Sequence, residues 1–191
     1  ISICILGEVL KKNILLRSNA KKEDDIWVTG ELGLAALGLA KLKSKIELPQ
    51  SLSKKAIRAL EKPMLHPSII KSMGRLSHSA IDISDGLIAD LTHILEASNV
   101  GANIFLKDIP MSTWIKKNKL FDIGLSGGDD YQLLFTAPKK NRNKINLVSK
   151  MPSIKLVRIG SIQKDKSLNI IDHKGMLYKL KKGGYDHFET K

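Results

Sequence analysis

A single cysteine, Cys4, in 191 residues rules out an internal disulfide and a cysteine-based zinc cage, and it fits a reducing cytosol. Aromatic residues make up only 5% of the chain, which leaves little material for a base-stacking platform. No apolar stretch approaches the roughly 20 residues that a membrane-crossing helix needs; the longest, "LGLAALGLA" at 32–40, is broken by glycines. The chain also lacks G-x-x-x-x-G-K-[ST], G-x-G-x-x-G and G-x-S-x-G. If it handles phosphate, it must use carboxylate-held metal rather than a glycine-rich cradle of amides. No signal-peptide pattern is present. The opening "ISICILGEV" starts with Ile inside an apolar, strand-like stretch, so a piece lacking its upstream part is expected.

What is present begins with a core. A hydrophobic content of 42% is enough to bury one domain, or one domain and part of another. Base outweighs acid, 32 to 19, for a net charge of +13. The lysines are scattered in pairs (11–12, 21–22, 54–55, 116–117, 139–140, 181–182) rather than massed. That pattern favours a solvated basic surface that draws in anionic ligands, phosphates included. A non-catalytic nucleic-acid-binding module is the alternative reading of the charge.

Strand and helix patterns alternate along the chain. Residues 1–8 and 26–30 read as strands, 31–43 as a Leu/Ala-rich helix, and 53–77 as helix broken at Pro63 and Pro67. "SAIDI" at 79–83 reads as a strand. From Ser84 to Ser98 the residues Leu87, Ile88, Leu91, Ile94 and Leu95 recur at helical spacing. Strands follow at 102–106, 131–137, 154–162 and 167–172, with helices at 111–119 and 139–150. The order predicts an α/β (α+β) domain, a mixed sheet with packed helices.

Two acidic motifs carry the chemistry. In "DISDG", Ser84 and Asp85 suit the opening turn of the helix as caps, which leaves Asp82, an acid in an apolar strand and costly to bury. Asp82 and Asp85 would also serve as hard oxygen ligands for Mg²⁺, which takes one or two carboxylates and fills its other positions with water and phosphate; both readings fit. In "LSGGDDYQLLF" (125–135), paired glycines and the paired acids Asp129 and Asp130 make a tight loop with exposed carboxylates. Their repulsion calls for a bound cation, nearby lysines or a positively charged ligand. Arg17, one of five arginines, suits bidentate phosphate contact; a surface salt bridge is the bland alternative. Asp24 and Asp25 read as turn caps. The histidines show no paired metal-ligand spacing.

Four blocks, "GEVLKKNILLRSNAKKEDDIWVTGELGLAALGL", "AIDISDGLIADLTHILEASNVGANIFL", "LSGGDDYQLLFT" and "GYDHF", together resemble the thiamine-monophosphate kinase family in order and separation. The resemblance spans nearly the whole chain. It implies the C-terminal domain of the aminoimidazole-ribonucleotide synthetase-like fold, with residues 1–10 as the last strand of a truncated N-terminal ATP-binding domain and 11–191 as the C-terminal domain. It further implies a cytoplasmic homodimer that passes the γ-phosphoryl group of ATP to thiamine monophosphate with Mg²⁺. By the same resemblance Asp82 and Asp85 are magnesium ligands, Ser84 and Arg17 nucleotide contacts, and Asp129 and Tyr185 substrate contacts. "GGDDYQ" stands where the family has "GGEDYE", so Asp129 is one methylene shorter and Gln132 lacks a charge. A fragment alone is expected to be inactive or nearly so. A sibling synthetase of the same fold is the remaining alternative.

Overall fold

The computed structural model describes residues 2–64, 67–150 and 155–180. Among these residues six strands form one sheet: β1 (Asp25–Thr29), β2 (Ser79–Ile83), β3 (Gly101–Phe105), β4 (Gln132–Ala137), β5 (Leu156–Gln163) and β6 (Leu168–Ile171). Their spatial order is β2-β4-β1-β5-β3-β6. The pairs are antiparallel except β3 with β6, which run parallel. The sheet is therefore mixed, as the alternation of patterns predicts.

Seven α-helices among the described residues accompany it: α1 (Leu34–Leu42), α2 (Gln50–Glu61), α3 (Pro67–Leu76), α4 (Leu87–Ser98), α5 (Thr113–Lys117), α6 (Phe121–Ser126) and α7 (Arg142–Val148). Helix α2 ends at Glu61, just before Pro63, and α3 starts on Pro67, whose missing N–H costs nothing at a first helical position. Helix α6 is absent from the sequence-based expectation; six residues with a central glycine carry no readable period.

All five residues of β1 are buried, because apolar layers cover both faces of the sheet. Ile26 and Val28 join the larger core with Leu37 of α1 and with Leu87, Leu91 and Ile94 of α4. Trp27, one position out of phase, faces the opposite layer with Phe135, Ile69 and Met73 of α3, and Ile145 of α7. Its ring stacks on Phe135 with centroids 6.4 Å apart. Arg142 closes that side by donating from Nε and a terminal nitrogen to the two oxygens of Asp25, at 2.8 and 2.7 Å. Asp25 is thus an ion-pair partner rather than a turn cap. Asp24 does cap its turn, accepting from the Lys21 N–H at 2.9 Å.

One expected strand is missing. Residues 2–10 belong to no ladder among the described residues, and Ile3, Ile5 and Leu6 are 83%, 88% and 93% exposed. A strand exists only through its partner, and the described sheet offers this segment none. None of the described helices is long and apolar enough to cross a membrane.

Candidate functional site

The two acidic motifs meet where β2 and β4 pair at one edge of the sheet. Asp82 lies opposite Leu133 and Ile83 opposite Gln132, so the turn leaving β2 and the loop entering β4 are adjacent. From the loop, the Asp129 N–H donates to the Ser84 carbonyl and the Tyr131 N–H to the Ile83 carbonyl, both at 2.8 Å. The "GGDD" loop therefore rests on the "DISDG" turn.

The turn is built differently from the expected cap. Helix α4 begins at Leu87, its N-cap is Gly86 at φ 116°, and no side chain caps it. Ser84 and Asp85 precede the helix instead of opening it. The turn is held by Asp90, a buried residue of the first helical turn. Its Oδ2 accepts from the N–H groups of Ser84, Asp85 and Gly86 at 3.0, 3.1 and 3.2 Å. Burial raises the Asp90 pKa, against the pull of these amides and with a further push from the charge of Asp85. Gly86 is required here: beyond its φ, an added Cβ would lie 2.8 Å from the Ser126 carbonyl carbon.

The loop also departs from expectation. Asp130 is 5% exposed, not an exposed carboxylate of a turn. It accepts from the Gly33 N–H at 2.6 Å and the Ala35 N–H at 3.2 Å, and so caps α1 from 97 positions away. Desolvation lifts its pKa to about 6, opposed by the amides of Gly33, Ala35 and Leu34, with the charge of Asp129 adding to the rise. For Asp130, backbone amides thus supply the compensation for which the sequence suggested a bound cation, nearby lysines or a positively charged ligand. Asp129 and Tyr131, on either side, both have left-handed backbone, φ 66° and 48°. Asp129 is half-buried and Tyr131 is exposed.

Gln132 is buried at the start of β4. Its Oε1 accepts from the Thr29 hydroxyl at 2.7 Å, and that hydroxyl oxygen accepts from the Leu133 N–H at 2.8 Å. A neutral amide fits this place without a charge to desolvate.

Asp82 is exposed, so the cost of burying it does not arise. It lines an open cleft of about 580 Å³ with Arg17, Ser18, Leu16, Ile81 and Ala97. Leu16 bridges to Ser79 as a parallel extension of the β2 edge, and Arg17 follows it on the wall of the cleft. The structure thus brings the backbone of Asp82, Ser84, Asp85 and Asp129 to one sheet end; the cleft that Arg17 lines includes Asp82 but not Ser84, Asp85 or Asp129. Tyr185 lies outside the described residues. Sequence reasoning missed Asp90 and also His93: ligand atoms of Asp85, Asp90 and His93 lie within 4.8 Å of one another. An acid in the first turn of the helix that follows the "DISDG" turn was the available signal for Asp90. Hard carboxylate oxygens on Asp82 and Asp85 are the donor type that Mg²⁺ prefers, whereas one oxygen of Asp90 is committed to three amides.

Residues 21–173 match the family described as AIR synthase related protein, C-terminal domain. The chain belongs to this family. Among curated relatives it is 40% identical over 198 residues to the thiamine-monophosphate kinase of Buchnera aphidicola subsp. Schizaphis graminum, covering 98% of this chain and 60% of that protein. To the thiamine-monophosphate kinase of Escherichia coli (strain K12) it is 37% identical, covering 97% and 59%. The chain therefore spans about 60% of the length of these relatives. Among solved structures, thiamine-monophosphate kinase from Stenotrophomonas maltophilia K279a superimposes with a TM-score of 0.76 at 30% identity, over 86% of this chain and 54% of that one. AaThiL complexed with AMPPCP and TMP gives 0.74 at 28%, over 91% and 54%. Hydrogenase maturation protein HypE, at 16% identity and 0.71, shares the fold. The AIR synthase related assignment agrees with the mixed sheet and with the fold that the four sequence blocks imply.

Proposed function

We propose that the protein carrying this chain transfers the γ-phosphoryl group of ATP to thiamine monophosphate, giving thiamine diphosphate. The observation that carries the reading is the docking of the Gly127–Tyr131 loop on the Asp82–Gly86 turn. It puts the acids of both motifs at one sheet end, in a chain related over nearly its whole length to thiamine-monophosphate kinases. The solved complex of AaThiL with AMPPCP and TMP supports the substrate pair.

Such a transfer needs positioning and charge neutralisation rather than a protein nucleophile, because the acceptor phosphate oxygen attacks in line. Mg²⁺ held by Asp82 and Asp85, when bound, would offset charge on the transferring group. Arg17 would contact phosphate and Ser84 the nucleotide. Asp129 would face the substrate, as would Tyr185 of the C-terminal segment. Asp90 acts one step back, fixing the backbone that presents Ser84 and Asp85. We read the stretch up to Leu10 as the last strand of a preceding domain, and the exposure of Ile3, Ile5 and Leu6 supports this. The working unit on this reading is a cytoplasmic homodimer of the complete gene product.

In the complete gene product, Asp85→Asn should lower phosphoryl transfer by about 10²–10³-fold, the scale of losing one electrostatic stabiliser, with the melting temperature unchanged. Near-normal turnover with the same magnesium dependence would remove Asp85 from the metal site.

A further inference from the structure

Arg17 enters the cleft from a single 3-10 turn, Arg17–Asn19. None of the ion pairs among the described residues includes it, and the residue is exposed. A long side chain gives up rotamer freedom when it engages a ligand, and a fixed backbone at its root limits how much remains to be ordered. The turn by itself is a poor source of that fixity. Its middle residue, Ser18, departs from helical geometry at φ −92° and ψ 26°, and a 3-10 turn has only its i→i+3 bonds to hold it.

The hold comes from helix α4. The hydroxyl of Ser98, the last residue of α4, donates to the Arg17 carbonyl at 2.9 Å and accepts from the Ala20 N–H at 3.1 Å. These are the two groups, three residues apart, that a 3-10 turn joins directly; here the hydroxyl bridges them. Thr92 of the same helix shows the ordinary use of such a group, returning its hydroxyl to the Ile88 carbonyl four residues back at 2.7 Å. Ser98 instead commits its hydroxyl to a segment 81 positions away. That segment is also tied at both flanks. The Leu16 carbonyl accepts from the Ala80 N–H at 3.3 Å, and Ala20 is buried in the larger core. Ser98 fixes what lies between, which is where the arginine sits.

We propose that Ser98 is a positioning residue for nucleotide binding, its hydroxyl setting the backbone from which Arg17 reaches phosphate. The inference rests on the functional reading above, in which Arg17 contacts the phosphates of ATP. Helix α4 then serves the site from both ends. Asp90 fixes the turn with Ser84 and Asp85 at its start, and Ser98 fixes Arg17 at its finish.

The test is calorimetric titration of ATP into the complete gene product, with magnesium and without thiamine monophosphate. KM for thiamine monophosphate and thermal unfolding are measured beside it. The variants are Ser98→Ala, Ser98→Val, Ser98→Thr, Arg17→Gln and the double variant of Arg17→Gln with Ser98→Ala. Valine and threonine match in shape and differ in the hydroxyl, so they separate its hydrogen bonds from packing. Ala and Val should each raise Kd for ATP about fivefold, the scale of one hydrogen bond, and leave KM for thiamine monophosphate unchanged. Thr should bind ATP as wild type does. Once Arg17→Gln is in place, Ser98→Ala should add nothing further, because the hydroxyl acts through the arginine. A general loosening of the fold would instead add the same factor in both backgrounds. That additivity overturns the proposal, as do a wild-type Kd in Ser98→Ala and Ser98→Val, a Thr variant as poor as Val, or a parallel rise in KM for thiamine monophosphate. Wild-type affinity in Arg17→Gln removes Arg17 from the nucleotide site, and this inference falls with that reading. If Arg17→Gln weakens ATP binding and the Ser98 variants do not, only this inference falls.

Discussion

Asp130 sets two opposing effects against each other, and pH can separate them. Two backbone N–H groups point at its carboxylate, which favours the charged form; burial favours the neutral one and prevails, lifting the pKa from its ordinary 3.8 to about 6. The folded state therefore holds a proton that the unfolded chain gives up between these values. Its contribution to stability is fully present below pH 3.8 and is lost as pH rises through 6. A rise of about 2 pKa units at roughly 1.4 kcal/mol each amounts to about 3 kcal/mol across that window. Asp130→Asn cannot titrate. It also turns an amide NH₂ toward one of the α1 amides, so it should be less stable than wild type throughout, by about 1–3 kcal/mol at neutral pH. The deficit should be larger at pH 4 than at pH 7, by as much as about 3 kcal/mol. Urea unfolding followed by tryptophan fluorescence at several pH values reads this difference directly. A deficit that stays flat, or that grows toward neutral pH, would refute the reasoning and show that the amides outweigh desolvation.

Two further outcomes are expected. Asp90→Ala leaves the amides of Ser84, Asp85 and Gly86 without their shared acceptor; a loss of about 2–3 kcal/mol should lower the melting temperature by about 5–10 °C for a domain of this size, measurable by thermal-shift dye binding. The Tyr178 hydroxyl donates to Asp122 at 2.8 Å, and burial with that bond pushes its pKa up to about 12. An ultraviolet titration should therefore show one of the three tyrosines ionising well above pH 10, and the stabilisation that this hydrogen bond gives should disappear as pH rises through 12. Asp122→Ala should lower that tyrosine's pKa only part of the way, leaving the rise that burial causes.

The parts of the fold legible in the sequence were those whose pattern is local. The alternation of β2 and the face of Leu87, Leu91 and Ile94 in α4 both declare themselves within a dozen residues. Asp82 and Asp85 were legible as a pair because their spacing sits at a strand-to-helix change. Asp130 was not: a Gly-Gly-Asp-Asp run reads as a solvent turn, and only contact with Gly33, distant along the chain, buries it. Asp90 hid inside an amphipathic helix, where an acid is expected to face water. The segment up to Leu10 reads as a strand because residue type states a preference, whereas a strand also needs a neighbour. Tyr131 gave no signal at all, since a positive φ in a tyrosine follows from hydrogen bonds to β2 and not from its own chemistry.

The cap that Asp130 places on α1 also determines which parts of the molecule open together. Helix α1 has no side chain of its own at its start, so its first amides are protected only while the distant loop is seated. Hydrogen exchange at Gly33 and Ala35 should then follow the opening of the Gly127–Tyr131 loop rather than the fraying of the helix. A ligand that steadies the loop would slow exchange at those amides, reporting occupancy of the site from residues nearly a hundred positions away.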